Sequence, residues 1–355
     1  MNAITTEKTY PQRGIFGKEL QKALQADGKW GSIIEYVRKH SDIYDLQVRA
    51  NYLNVYYNGG NILRINPRSL DVDEFYFHTE IDANRDTRKT VIQEKAKKGN
   101  EKAKDIIEKL SRERDNILDL IKSGNASPKN VEDYFYKMKT QMDKWEDALY
   151  CHRVDDSEKN KYKDKDCAER EKYHKEKYIQ QKISLANRNF DNFGLVVLDV
   201  EFAVSDNAPY RSEDCTHPRF DMIAVDKEGK IHVLELKYGL GATGIDNQGE
   251  SASDIKGHTD KFLKTVGGDV YKKFLEDIER IVSAKKSLGL SWLDKIKVSN
   301  KEPVFDIVYA EPGEGTLDKV VNFIKDKVNN DGKKVANIWF INTTTRNYKL
   351  NNIVL

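Results

Sequence analysis

The residues of this chain best suited to chemistry are two carboxylates and a lysine on neighbouring predicted strands. Asp221 lies in one short apolar run, and Glu235 and Lys237 lie in the next. Both runs are bounded by turn residues, which is typical of β-strands. The polar segment 226–230 between them contains a glycine, so the sequence predicts a β-hairpin.

The register of this hairpin determines which side chains meet. A symmetric turn pairs Val225 with Ile231, and because residues i and i+2 share a face, Asp221 then faces Glu235 with Lys237 beside them. A slip of one residue would move Asp221 to the other face. Two facing carboxylates repel each other, and a divalent cation that prefers oxygen ligands, Mg²⁺ or Mn²⁺, would stabilise them. The alternative is an ordinary hairpin end, in which Lys237 simply pairs with Glu235.

Length and charge limit the classes of function. The 355 residues suffice for two domains or one elaborated domain. The formal net charge is only +2, although 33% of the residues are charged. The protein therefore lacks a strongly basic coat, and contact with nucleic acid must come from a local patch.

The cysteines and the N-terminus indicate the compartment. Cys151, Cys167 and Cys215 are odd in number and widely spaced, so we expect no disulfide framework and a reducing cytoplasm. Their spacing to neighbouring histidines fits no standard zinc pattern. The first residues do not resemble a signal peptide, and no run reaches the roughly 18 apolar residues of a membrane span. We expect a soluble cytoplasmic protein that does not enter a membrane.

Hydrophobic periodicity divides the chain into three regions. Residues 1–82 form a predicted α+β region with a hairpin at the Asn-Gly pair that begins at Asn58, and with a short strand at 73–78. Residues 83–155 form a predicted charged helical hairpin, a long helical insertion. Residues 156–355 alternate helices and strands, which predicts an α/β domain.

The order of elements from about residue 168 is helix, three strands, helix, strand. Asp221 lies on the second strand, and the Glu-x-Lys motif of Glu235 and Lys237 lies on the third. This arrangement resembles the PD-(D/E)XK nuclease superfamily over roughly residues 168–310. The resemblance implies a restriction-endonuclease-like core with a three-stranded antiparallel or mixed sheet. One departure is Phe220, which stands where the family commonly has proline.

The resemblance also implies roles for individual residues. Asp221 and Glu235, with the backbone carbonyl of Leu236, would hold Mg²⁺ or Mn²⁺. Lys237 would be the catalytic lysine that orients or activates the attacking water. Many members carry a further glutamate on the helix before the first strand, and Glu176 matches it, three residues before the apolar Ile179.

Several alternatives to Glu176 stay open. A glutamate at this end of the helix would also be compatible with a solvent-facing side chain. Glu171 is a weaker candidate on the same helix, and Asp199 and Glu201 share one face of the first strand. Any of the three is a candidate for the further acidic ligand.

Two neighbouring patterns are ambiguous. Residues 239–244 match G-x-G-x-x-G, but a loop sequence follows them, which argues against a dinucleotide cofactor. Lys256, His258 and Lys261 follow on a predicted helix and are candidates for phosphate contacts. For His258, a capping or surface position is the favoured interpretation.

Together these patterns predict a metal-dependent nuclease, with DNA as the expected substrate rather than RNA. One alternative is a catalytically silent module that binds nucleic acid or protein on the same fold. Another is an assembly protein that docks a partner through its first 155 residues. The sequence leaves open whether the chain forms a homodimer.

Overall fold

The structure of the protein is a computed structural model. It describes residues 13–77, 89–124, 126–152, 176–190, 194–204, 208, 219–245, 254–266, 271–311, 315–330 and 334–353. Within those ranges, no helix combines the length and the apolar character that crossing a membrane requires.

The chain divides into two compact units. The first comprises Met1–Ile15, Val48–Ala50 and Lys182–Leu355, and the second comprises Phe16–Gln47 and Asn51–Gln181. The three-region boundaries derived from the sequence stay a prediction, because both lie outside the described residues. The chain is mixed α/β and contains two sheets, one of four strands and one of six.

The described part of residues 18–152 forms a four-stranded sheet and five α-helices. The sheet has the order β1-β2-β3-β4. Its strands are β1 (Asp45–Val48), β2 (Leu53–Tyr57), β3 (Gly60–Ile65) and β4 (Leu70–Asp71). The helices are α1 (Lys18–Leu24), α2 (Gly31–Lys39), α3 (Lys89–Lys97), α4 (Glu101–Lys122) and α5 (Pro128–His152).

The Asn-Gly hairpin predicted in this region is confirmed. Tyr57 pairs with Gly60, and the two turn residues, Asn58 and Gly59, have φ values of 46° and 77°. Such left-handed values suit asparagine and glycine. The short strand predicted at 73–78 is wrong: residues Glu74–Phe77 form a 3₁₀ helix that buries Phe75 and Phe77. In the sequence, the spacing of Phe75 and Phe77 resembles the alternation of buried residues along a strand.

The remaining described elements include a six-stranded mixed sheet and four α-helices. The strands are β5 (Leu195–Ala203), β6 (Arg219–Asp226), β7 (Ile231–Tyr238), β8 (Val304–Glu311), β9 (Val335–Asn342) and β10 (Asn351–Ile353), in the order β10-β9-β8-β7-β6-β5. The helices are α6 (Glu176–Ala186), α7 (Ile255–Val266), α8 (Tyr271–Ser287) and α9 (Leu317–Phe323). Strand β6 is antiparallel to both of its neighbours, β5 and β7, whereas β8 runs parallel to both β7 and β9.

Helices α7 and α8 cover opposite faces of this sheet. Phe262 of α7 lies against Phe305 of β8, with 5.3 Å between ring centroids, and Phe305 pairs with Val233 on the face that also carries Glu235. Phe274 of α8 makes edge contacts with Phe202 and Phe220 on the other face. Apolar helix faces at 3.6-residue spacing thus bury a sheet that is apolar on both sides.

The edge strand β5 carries a fully buried carboxylate, Asp199. Its two oxygens accept hydrogen bonds from Arg13, at 2.5 Å, and from Arg49, at 2.7 Å. Lys285 donates to the adjacent carbonyl of Leu198. Burial opposes ionisation, but these three cations outweigh it and lower the pKa of Asp199. Asp199 is therefore neutralised by charge pairs within its own unit.

A second buried polar cluster lies where β7 and β8 begin. His232 Nδ1 is 2.6 Å from Asp306 Oδ2, and the same oxygen accepts from Trp339 at 2.8 Å. His232 Nε2 lies 3.5 Å from Asp226 at the hairpin turn. Burial favours the neutral imidazole, but the hydrogen bond to Asp306 and the two carboxylate charges together raise the pKa of His232.

Replacing Asp199 with asparagine should destabilise the protein by about 3–5 kcal/mol, because two guanidinium groups would lose their buried counter-charge. Denaturant unfolding of Asp199→Asn and wild type measures this difference. Glu276→Gln, which removes an exposed pair with Lys273 on α8, is the control and should unfold like wild type. Equal stability of Asp199→Asn and wild type would contradict the role of these charge pairs.

The stabilisation from His232 should depend on pH. Since its pKa is raised in the folded state above 6.5, its contribution is complete below pH 6.5 and is lost as pH rises through the folded-state pKa. The difference in unfolding free energy between wild type and His232→Asn should therefore shrink from pH 6 to pH 9. Unfolding curves across that range test this, and a constant difference would contradict it.

Candidate active site

The β6–β7 hairpin has the register predicted from the sequence. Val225 pairs with Ile231 and Ile223 pairs with Val233. Asp226 closes the turn, because its Oδ1 accepts a hydrogen bond from the amide of Lys230 at 2.7 Å. Residues two positions further along each strand share a face, so Asp221 and Glu235 belong to the same face of the hairpin.

A glycine permits the tight turn between these strands. Gly229 has a φ of 83°, and a Cβ at this position would lie 2.6 Å from the carbonyl oxygen of Lys297. The Gly229 carbonyl in turn accepts a hydrogen bond from Ser299 at 2.7 Å. Only glycine meets both requirements without strain, so the turn is held in one geometry and the register with it.

Asp221 is fixed against the neighbouring strand. Its side chain is buried, and Oδ2 accepts a hydrogen bond from the amide of Leu236 at 2.8 Å. The backbone pairing between β6 and β7 ends at Met222 and Leu234. Beyond this pair, the amide of Leu236 in β7 donates to the side chain of Asp221 in β6. This hydrogen bond holds Asp221 next to the residue that follows Glu235.

Glu235 is buried and unevenly partnered. Its exposed fraction is 2%. Oε1 accepts hydrogen bonds from Lys237 Nζ at 3.0 Å and from His258 Nδ1 at 2.8 Å. Oε2 is also buried, but it has no hydrogen-bond partner in the part of the chain that the structure describes. A buried carboxylate oxygen without a partner is costly, so Oε2 is the oxygen of Glu235 at which a further partner would stabilise the group.

The local charges keep Glu235 ionised. Burial opposes its ionisation, but the hydrogen bond from His258 and the positive charge of Lys237 outweigh burial and lower the pKa of Glu235. The carboxylate is therefore negative at neutral pH. Its two hydrogen-bond donors come from different elements, Lys237 from β7 itself and His258 from α7.

Helix α7 places His258 against Glu235 of β7. Asp254 caps the helix, because its Oδ1 accepts a hydrogen bond from the amide of Gly257 at 2.7 Å. Ile255, Thr259 and Phe262 form its buried face. The sequence favoured a capping or surface position for His258, and this expectation is wrong, since the imidazole contacts Glu235. The wrong expectation arose because the partner lies 23 positions away on another element.

The other acidic candidates are placed differently. Asp199 is engaged by two arginines, and Glu201, with a φ of 50°, lies 3.9 Å from Arg219. Glu176 is exposed at the first residue of α6, whereas Ile179 and Ile183 are buried, so its side chain does not continue the buried stripe. It belongs to the second unit, while the other site residues belong to the first.

Three expectations about ligands stay predictions. Glu171 lies outside the described residues. The carbonyl of Leu236 lies on β7 between the two charged side chains, but its role as a metal ligand is untested, as is that of Glu176. Lys256 and Lys261, the other candidates on α7, are half-buried.

One cluster beside the site was missed by the sequence reasoning. Tyr309 pairs with Lys237 across the parallel strands, and its hydroxyl donates to Glu311 at 2.9 Å. The amide and hydroxyl of Thr316 also donate to Glu311. Burial is the main cause that raises the pKa of Tyr309 to about 12. The alternation of Tyr309 and Glu311 at the end of an apolar strand was the available signal.

A divalent cation can be held in a protein by different numbers of side chains, and this number bears on the carboxylates of Asp221 and Glu235. Among the described residues, no group of three or more His, Cys, Asp or Glu side chains could hold a metal ion. Mg²⁺, however, is commonly held by one or two carboxylates, with water and substrate phosphate completing its shell. Asp221 and Glu235 supply two carboxylates on one face of the hairpin, which is the number that this second kind of site requires.

Comparison with protein family models, with curated proteins and with solved structures found no match to this chain.

Replacing Glu235 with glutamine should abolish binding of Mn²⁺, because it removes the charge of the buried carboxylate. The affinity should fall by more than the roughly 10–100-fold typical of residues that only support a ligand. Titration of free Mn²⁺, followed by its electron paramagnetic resonance signal, measures this change.

The matched control is Glu228→Gln, an exposed residue in the turn of the same hairpin, which should bind Mn²⁺ like wild type. If Glu235→Gln is folded and binds as tightly as wild type, the metal does not bind at this carboxylate.

Proposed function

We propose that this protein is a metal-dependent nuclease that hydrolyses phosphodiester bonds, with DNA as the expected substrate. The observation that carries the proposal is the state of Glu235: it is buried and ionised, one oxygen is held by Lys237 and His258, and the other has no partner in the described residues. A divalent cation is the ligand class that this oxygen and the neighbouring Asp221 suit best.

The arrangement of the sheet supports the same proposal. Helix α6, the antiparallel strands β5, β6 and β7, helix α7 and the parallel strand β8 follow one another as the PD-(D/E)XK resemblance implies, with α8 as an additional helix between α7 and β8. Asp221 lies on the second of these strands and the Glu-x-Lys motif on the third. We include the restriction-endonuclease-like core in the proposal, since the mixed α/β fold is compatible with it.

In this proposal Asp221 and Glu235 hold Mg²⁺ or Mn²⁺, with the Leu236 carbonyl as a third oxygen. A bound metal of this kind lowers the pKa of a coordinated water and polarises the phosphate. The hydrogen bond from the Leu236 amide keeps Asp221 oriented. The contacts to Lys237 and His258 keep Glu235 oriented and ionised.

Lys237 is the proposed catalytic cation. Its ammonium group is buried beside Glu235, where water is largely excluded and a positive charge acts strongly on its surroundings. There it would orient the attacking water and offset the negative charge that develops on the phosphate. The proposal leaves open whether Lys237 also accepts a proton from that water.

A catalytically silent binding module is the second candidate, and one observation favours it. Oε1 of Glu235 already has two donors, Lys237 and His258, so the protein's own residues stabilise its charge. Such a carboxylate could serve stability alone while the fold binds nucleic acid or a protein.

Cleavage assays distinguish the two candidates. Wild type should cleave single- or double-stranded DNA in Mg²⁺ or Mn²⁺, with RNA tested in parallel, and chelation should stop the reaction. Lys237→Ala should lower the rate by about 10²–10⁴-fold, because the transition state loses a positioned cation or base. Lys227→Ala, an exposed lysine in the turn of the same hairpin, should keep the wild-type rate.

Binding measurements complete the test. Fluorescence anisotropy should show that Lys237→Ala still binds the substrate it no longer cleaves. Binding by wild type without cleavage of any nucleic acid in either metal would support the silent module. Equal cleavage by wild type and Lys237→Ala would remove Lys237 from the mechanism.

A further inference from the structure

We infer that His258 is the residue that holds Glu235 in its metal-binding orientation and so releases Lys237 to act on the substrate. This inference rests on the proposed function, because it assigns a role within the same site. It begins with two donors, Lys237 and His258, that share one oxygen of Glu235 while the other oxygen has no partner in the described residues.

The hydrogen bond has a fixed direction. An ionised carboxylate only accepts, so Nδ1 of His258 carries the proton and donates. The contact at 2.8 Å ties Oε1 to helix α7. With Oε1 held there, rotation of the carboxylate is restricted and Oε2 keeps its direction. The group is then pre-organised for a ligand at Oε2 rather than at Oε1.

The two donors differ in how firmly their own elements hold them. Lys237 reaches Glu235 with a flexible four-carbon side chain. His258 has two side-chain torsions and stands on a helix that is capped by Asp254 and anchored by the contact between Phe262 and Phe305. Of the two, His258 is therefore the permanent partner and Lys237 the exchangeable one.

This difference resolves a conflict within the proposed mechanism. Lys237 can turn towards a phosphate or a water only if it gives up its ion pair with Glu235. Without His258, the buried Glu235 would then lose both hydrogen-bond donors at Oε1, which is costly for a buried charge. With His258 in place, one donor remains and the orientation of the carboxylate is retained.

The test is a series of variants titrated with Mn²⁺ in the absence of nucleic acid. His258→Ala should weaken Mn²⁺ binding by about 10–100-fold, as is typical when a residue that orients a metal ligand is lost. His258→Asn should bind within a few fold of wild type, because its amide can donate from a position close to that of Nδ1. Lys237→Ala should bind at least as tightly as wild type, since a nearby positive charge is removed.

Controls separate orientation from folding. Lys264→Ala, an exposed residue on the same helix, should match wild type, and thermal melts of all variants report their folding. In cleavage assays His258→Ala should lower kcat at saturating metal and leave KM for the nucleic acid unchanged. His258→Asn should restore kcat.

The outcomes are distinguishable. If wild type binds Mn²⁺ and His258→Ala binds equally well, the role of His258 is overturned while the metal site stands. If His258→Ala and His258→Asn are equally weak, the hydrogen bond is not the cause and the inference also fails. If wild type binds neither Mn²⁺ nor Mg²⁺, the proposed function fails, and this inference fails with it.

Discussion

The cost of burying a carboxylate governs both the stability and the chemistry of the six-stranded sheet. A buried negative charge must be offset by cations and hydrogen bonds, or the group becomes neutral. Asp199 and Glu235 meet this requirement in different ways. Both oxygens of Asp199 are taken by arginines, which completes its partners. Glu235 has two donors on one oxygen and no partner among the described residues on the other. The first arrangement satisfies both oxygens, and the second leaves one oxygen without a partner in the part of the chain that the structure describes.

The sheet brings these groups into position through two independent constraints. Gly229 fixes the turn, and therefore the register, that puts Asp221 and Glu235 on one face. Helix α7, anchored through Phe262 on Phe305, brings His258 onto that same face. Helix α8 packs through Phe274 on the opposite face of the sheet, away from these charged residues. The geometry at Glu235 thus depends on apolar contacts that include none of the site residues.

Local patterns in the sequence predicted local structure well and long-range partners poorly. The β6–β7 register followed from the length of the turn and the alternation of apolar residues, and the Asn58 hairpin followed from its two turn residues. The buried setting of Asp199 could not be predicted, because its partners Arg13 and Arg49 lie 186 and 150 positions away. The contact of His258 with Glu235 was missed for the same reason. Near Phe75 and Phe77, alternation misled because a 3₁₀ turn can also bury both rings.

The charge pairs of Asp199 also bear on how this chain can be divided and how it folds. The unit with the candidate site includes Met1–Ile15 and Val48–Ala50 as well as Lys182–Leu355. A fragment that began at residue 182 would contain every site residue on β6, β7 and α7, yet its edge strand would bury a carboxylate without Arg13 and Arg49. During synthesis, those two arginines leave the ribosome long before Asp199. Formation of the sheet therefore includes contacts of high sequence separation, which slow folding.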